Sequence, residues 1–213
     1  MKKQINDFSI FEEIWHAITH GFGLFISTFG FGVLFTLAVM SGDLQKIWTS
    51  VVFGLGLLTM YGASTLYHAI PHYRMKYFLQ IFDHAAIYIL IASTYTPVVV
   101  LGVQGLFGWV LLGIVWFLAV LGIYLKFAFV GRFEVFSLVL YAVMGWLIII
   151  AYKPLIAHAG WLFFSLLLAG GLTYTLGIFF YVKESMKLNH ALWHLFVLGG
   201  SIFHYFSVFL LIK

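Results

Sequence analysis

The sequence predicts an all-α fold: a seven-transmembrane helix bundle with a cytoplasmic N-terminus and an extracellular C-terminus, placed in the cell membrane as a multi-pass protein. Three observations carry this. The 213 residues are 63% hydrophobic and only 8% charged, against roughly 45–50% apolar and about 25% charged in a soluble domain. The apolar residues fall into long runs with short connections. Lysine and arginine are distributed unevenly between the two sets of connections. The mean hydropathy of +1.07 excludes disorder, which requires low hydrophobicity and high charge. The chain has no cysteine, which excludes disulfides, zinc–thiolate sites, iron–sulfur clusters and thiol nucleophiles.

A spanning helix needs about 20 mostly apolar residues. Such runs occupy Ala17–Met40, Ile47–Ile70, Phe78–Leu101, Leu106–Leu125, Phe133–Ala151, Gly160–Val182 and His190–Ile212. They are too long, and alternate too little, for barrel strands. Before the first run, residues 1–16 form a cytoplasmic or interfacial segment, with Phe8, Ile10, Phe11, Ile14 and Trp15 as a short interfacial helix. Residues 17–213 form the membrane domain. Asp7, Glu12 and Glu13 argue against a cleavable signal. Pro71 closes the second run and Lys153-Pro154 the fifth, and Pro97 should kink or end the third. Trp48, Trp109 and Trp161 read as interfacial anchors. Glycines within the runs, among them Gly23, Gly54 and Gly170, read as close-packing positions.

Lys2, Lys3, Arg74, Lys76, Lys126, Arg132, Lys183 and Lys187 fall on the N-terminal side, and Lys46, Lys153 and Lys213 on the other. The positive-inside rule then places the N-terminus in the cytoplasm. The net charge of +4 is a topology signal. No loop carries a basic cluster interleaved with aromatics, so nucleic acid is not expected as a partner.

Ionisable side chains within spans are costly and call for partners. Most of them fall at one depth. Ser64 and His68 are four residues apart at the end of the second run, and Asp83 and His84 open the third. His190 and His194, again four apart, begin the seventh, while Glu13, His16 and His20 stand at the start of the first. Residues i and i+4 share a helix face. An i, i+4 histidine pair suits a metal. With His68 as third ligand, His190 and His194 would hold zinc with a fourth position open, the catalytic type of site. Asp83 is placed to orient water or take its proton, and Ser64 to hydrogen-bond that water or a substrate oxygen. His84 and His204 read as helix–helix hydrogen-bonding groups, and His72 and His158 as loop residues.

These motifs resemble the hemolysin III family, bacterial relatives of the progestin and adiponectin receptors within a wider superfamily that includes the alkaline ceramidases. The resemblance rests on Glu12-Glu13-Ile14-Trp15-His16-Ala17-Ile18-Thr19-His20-Gly21, Ser64-Thr65-Leu66-Tyr67-His68, Phe82-Asp83-His84-Ala85-Ala86-Ile87-Tyr88, Thr94-Tyr95-Thr96-Pro97 and His190-Ala191-Leu192-Trp193-His194. It implies a seven-helix fold with the N-terminus inside, and zinc on His68, His190 and His194 with Asp83 and Ser64 beside it. His16 departs from the family pattern, which more often has asparagine there, and reads as an extra polar partner. Glu13, His16 and His20 are expected to support the ligands from behind.

Three functions compete. The first is a zinc-dependent hydrolase of lipid amides or esters, with a membrane lipid as substrate. The second is the pore-forming, cytolytic activity that the family name suggests, although the fourth to sixth runs are almost wholly apolar. The third is a zinc-stabilised receptor or sensor without turnover, with a lipid as ligand. The chain is also open to homo-oligomer formation.

Overall fold

The computed structural model describes residues 8–129, 132–183 and 185–213; Lys2, Lys3 and Asp7 lie outside the described residues. Helix α1 spans Ile10–Ser41, α2 Leu44–Ala69, α3 Tyr73–Pro97, α4 Gly105–Ala128, α5 Glu134–Trp146, α6 Tyr152–Val182 and α7 Asn189–Ile212. The protein is an all-α membrane helix bundle.

Local chemistry sets the boundaries. Ser9 caps α1 in a reciprocal box: its hydroxyl accepts from Glu12 N at 3.3 Å, and the Glu12 carboxylate accepts from Ser9 N at 2.9 Å. No breaker follows, so the residues expected as a separate interfacial helix are the first turns of a 32-residue α1. Gly42, at φ 69°, ends α1 in the left-handed region that suits glycine. Asp43 then caps α2 by accepting from Gln45 N at 2.7 Å. Pro71 ends α2 by pushing Ile70 out of the helical region to φ −97°, ψ 111°. Pro97 ends α3 without stopping the chain's axial course. A π-helical stretch, Val98–Val103, follows directly and extends the element to 31 residues.

Six stretches among the described residues are long and apolar enough to cross a membrane. The fifth and sixth expected runs fall together in one of them, Glu134–Val182, of 49 residues. This corrects the expectation that Lys153-Pro154 separates them. The chain stays helical there through a 3-10 stretch, Leu147–Ala151, and Pro154 sits in the first turn of α6, where proline is tolerated. The break lies instead at Gly160, at φ 83° and ψ 171°, a conformation open essentially to glycine. Trp146 Nε1 donates to Thr175 Oγ1 at 3.1 Å. Twenty-nine residues of straight helix would separate these side chains by roughly 43 Å, so the chain doubles back between them.

Helix α3 is the centre: 78% of its most apolar stretch is buried, against 17–50% for the other spans. Around it α1 packs on α2, α2 on α3, and α6 on α7, while α7 closes the ring against α1. Tyr61, Phe53, Tyr88, Val115, Met144 and Phe163 form part of the core. Large apolar side chains such as Phe25, Phe29, Phe117 and Leu176 are exposed on the perimeter, as a lipid-facing surface requires. Gly54 and Gly170 make room for the rings of Phe31 and His204, whereas Gly32 meets nothing within 4 Å. At one end of the bundle Lys46 Nζ donates to Ile212 O at 3.0 Å, tying the start of α2 to the end of α7. The starts of α1, α3 and α7 and the end of α2 therefore meet at the opposite end.

Candidate metal centre

That opposite end holds a buried cluster of imidazoles from three helices. His16 and His20 come from α1, His68 from α2, and His190 and His194 from α7; all are nearly inaccessible. Nitrogens of His16, His68 and His190 lie within 4.8 Å of one another, a triad able to hold a metal ion. Both ring nitrogens of His16, and Nε2 of His20, His68 and His190, are buried without a hydrogen-bond partner. A polar atom left this way in a membrane interior is costly. Several such nitrogens converging from three helices are the donor set that a borderline metal such as zinc takes. The residues present fit a metal.

A charged network fixes His68. Glu13 Oε2 accepts from His68 Nδ1 at 2.7 Å, while Glu13 Oε1 accepts from Lys76 Nζ at 2.6 Å. Lys76 also donates to Tyr67 O at 3.1 Å. A carboxylate accepts only, so Nδ1 carries the hydrogen and Nε2 keeps a free lone pair facing the cluster. The lysine balances the buried carboxylate, which alone would be expensive at this depth.

His194 stands beside the triad. Its ring centroid is 4.6 Å from that of His190 and 5.2 Å from that of His68, and its Nδ1 lies 3.1 Å from Thr19 Oγ1. His20 lies flat against His194, 3.5 Å between centroids and 8° between planes, and its Nδ1 meets Ser64 Oγ at 2.7 Å. Ser64 is thus engaged with His20. Asp83, on α3, is buried, and its Oδ1 has no partner. It lines a small cavity that is also lined by His20, His190 and His194. Tyr141, Lys126 and Glu134 line the same cavity, the last two joined by a 2.7 Å ion pair.

Of the sequence-selected residues, His68, His190, His194, Asp83, Ser64, Glu13, His16 and His20 all come together at this end. His204 lies elsewhere, with Nε2 on Leu167 O at 3.1 Å, a helix–helix hydrogen bond. His158 bonds Pro154 O within its own helix, and His72 is exposed ahead of α3. His84 sits 3.7 Å from the Glu134 carboxylate. Sequence reasoning missed the Lys76 partner, the Lys126–Glu134 pair, and Phe8, whose ring packs 4.6 Å from His16 and 5.0 Å from His190. In the sequence Lys76 and Lys126 count towards topology; their apolar neighbours on both sides are the signal that each needs a buried anion.

Residues 8–205 match the family model described as Haemolysin-III related. The chain is 46% identical over 201 residues to a protein named Hemolysin-3 homolog from Bacillus subtilis (strain 168), covering 94% of each. It is 45% identical over 197 residues to Hemolysin-3 from Bacillus cereus, covering 92% of this chain and 90% of that one. It is also 26% identical over 204 residues to the monocyte to macrophage differentiation factor of Homo sapiens, covering 93% and 83%. With its apolar helices and buried histidine triad, the chain belongs to the haemolysin III family of multi-pass membrane proteins.

Proposed function

We propose that this protein is a zinc-dependent membrane hydrolase that cleaves an amide or ester bond of a lipid. One observation carries the reading: a buried carboxylate with an unpartnered oxygen, Asp83 Oδ1, shares a cavity with His190 and His194, whose neighbours His16 and His68 offer unbonded nitrogens. In this reading His68, His190 and His194 hold the metal. Bound there, zinc would supply Lewis acidity and lower the pKa of water. Asp83 takes the proton of the attacking water as its oxygen bonds the acyl carbon, and returns it to the leaving nitrogen or oxygen as that bond breaks. Ser64, held by His20, is within the same shell to position an oxygen. Met60, Ile87 and Leu138 give the cavity an apolar side for an acyl chain.

The proposed membrane arrangement has seven crossings. Glu134–Val182 would extend roughly 74 Å as one straight helix, more than twice the hydrocarbon thickness of about 30 Å. The Trp146–Thr175 hydrogen bond and the break at Gly160 support two crossings in that stretch. The excess of lysine and arginine on the N-terminal side supports a cytoplasmic N-terminus, with the metal cluster in the cytoplasmic leaflet.

The test is turnover. Purified protein in nanodiscs, incubated with ceramides and phospholipids, should release a fatty acid from at least one of them in a chelator-sensitive manner. No chelator-sensitive product from any lipid would overturn the hydrolase reading. A second reading, a zinc-stabilised receptor without turnover, draws on the closeness of His16 to His68 and His190, because a cluster so crowded with imidazole leaves little room for a substrate oxygen.

A further inference from the structure

Four imidazole rings at the metal centre form a nearly regular tetrahedron. The centroid of His16 is 4.7 Å from His68, 4.8 Å from His190 and 5.4 Å from His194. The remaining separations are 5.2 Å for His68–His190, 5.2 Å for His68–His194 and 4.6 Å for His190–His194. Four imidazoles arranged tetrahedrally around one zinc ion, with Zn–N of about 2.0–2.1 Å and the ring centre about 1.1 Å beyond the nitrogen, have centroids roughly 5 Å apart. The observed separations, 4.6–5.4 Å, fall on either side of that distance. The fifth ring, His20, does not share the arrangement. It stacks flat on His194, turns its Nδ1 to Ser64 and lies outside the close set of donor nitrogens, although its Nε2 is unpartnered.

We propose that His16 is a fourth protein ligand, filling the position that a three-histidine site leaves open, and that it must leave before water or a substrate oxygen can reach the ion. This rests on the reading that the cluster holds zinc. The state of His16 fits a ligand. It is 1% exposed and neither of its ring nitrogens has a hydrogen-bond partner, so it makes none of the bonds that usually justify a histidine inside a membrane protein. His194 has its Nδ1 taken by Thr19; its nitrogens lie outside the close set of His16, His68 and His190, so its ring turns inward when Nε2 takes the ion. His68 has its Nδ1 taken by Glu13 and likewise offers Nε2.

The same geometry says what controls release. His16 lies on the second turn of α1. The preceding turn is held by the Ser9–Glu12 capping box, by the Glu13 contacts to His68 and Lys76, and by Phe8 packed over His16 and His190. A shift of this start of α1 would carry His16 away from the ion. The N-terminal turn of α1 is therefore the regulatory element of the site. It holds a closed, four-nitrogen form at rest and opens a coordination position when displaced.

The experiment uses the full-length protein in nanodiscs with cobalt(II) in place of zinc, read by its visible absorption and titrated with azide. The wild type should bind one cobalt per chain, and azide should leave its bands unchanged. His16→Ala should still bind cobalt, more weakly by more than the roughly 10–100-fold seen on loss of an outer-shell partner. Its bands should shift on adding azide, and added imidazole should restore the wild-type bands and the azide resistance. His16→Gln, which keeps side-chain bulk, serves if the alanine variant is not monodisperse. Azide shifting the wild-type bands as readily as those of the variant, at equal cobalt affinity, would overturn the role of His16 while leaving a three-histidine site intact. Failure of imidazole to restore the wild-type bands would also overturn it, since the variant's change would then reflect loosened packing. Absence of cobalt binding by both proteins would overturn the metal reading and this inference together.

Discussion

Glu13 and His68, 55 residues apart in the chain, share a 2.7 Å hydrogen bond whose carboxylate also holds Lys76 at 2.6 Å. The bond sets the imidazole's tautomer and direction together, so Glu13 acts on the metal centre without facing it. Glu13→Ala should weaken zinc binding by about 10–100-fold, as outer-shell losses do, and should leave Lys76 as an unbalanced buried cation. Competition against a chelator of known affinity measures the first effect, and thermal melting in detergent the second.

The histidines divide by position. His68→Ala, His190→Ala and His194→Ala should each reduce zinc to well below one per chain. His204→Ala and His158→Ala should leave it unchanged, because their nitrogens bond the carbonyls of Leu167 and Pro154 away from the cluster. Metal analysis of the purified variants decides this. Retention of zinc by His190→Ala would require a different ligand set.

Asp83→Asn separates chemistry from metal binding. Asparagine keeps the size of the side chain and loses the base, so zinc should remain while lipid turnover falls by roughly 10²–10⁴-fold, the range for a general base. Ser64→Ala should reduce turnover less, since Ser64 is already bonded to His20. Equal turnover in Asp83→Asn and wild type would remove Asp83 from the reaction.

Membrane sidedness has its own test. With Glu134–Val182 crossing twice, a reporter fused after Lys213 should be active outside the cytoplasm, and one fused at Arg132 inside it. A cytoplasmic signal from the Lys213 fusion would mean an even number of crossings or the reverse orientation.

The gathering of His68, Asp83, His190 and His194 at one end was legible in the sequence, because helix direction alternates and i, i+4 spacing fixes a common face. The place of His16 was not. Glu13, His16 and His20 lie three and four residues apart, so all three share one face of α1, and nothing in the sequence says how far α1 is rotated about its axis. That rotation turns His16 into the triad and leaves His20 stacked outside it. The boundary between α5 and α6 was misplaced for a related reason. Proline near a run's end reads as a terminus, yet Pro154 sits in the first turn of a helix, where its missing N–H goes unnoticed. The reversal depends on Gly160, one glycine among 21 in the chain.

Helix α5 has consequences for traffic. Along its 13 residues only Ser137 and Met144 are buried, so it adheres to the bundle less by packing than by a few polar fastenings. Tyr95 donates to Met144 O at 2.6 Å and receives Ile148 N at 2.7 Å, Tyr141 donates to His84 O at 2.8 Å, and Lys126 holds Glu134. Glu134 and Tyr141 also form one side of the cavity that reaches Asp83. That side of the cavity hangs on hydrogen bonds more than on packing. If the hydrolase reading holds, loosening these few bonds would open the cavity sideways, towards the histidines, at little cost in packing.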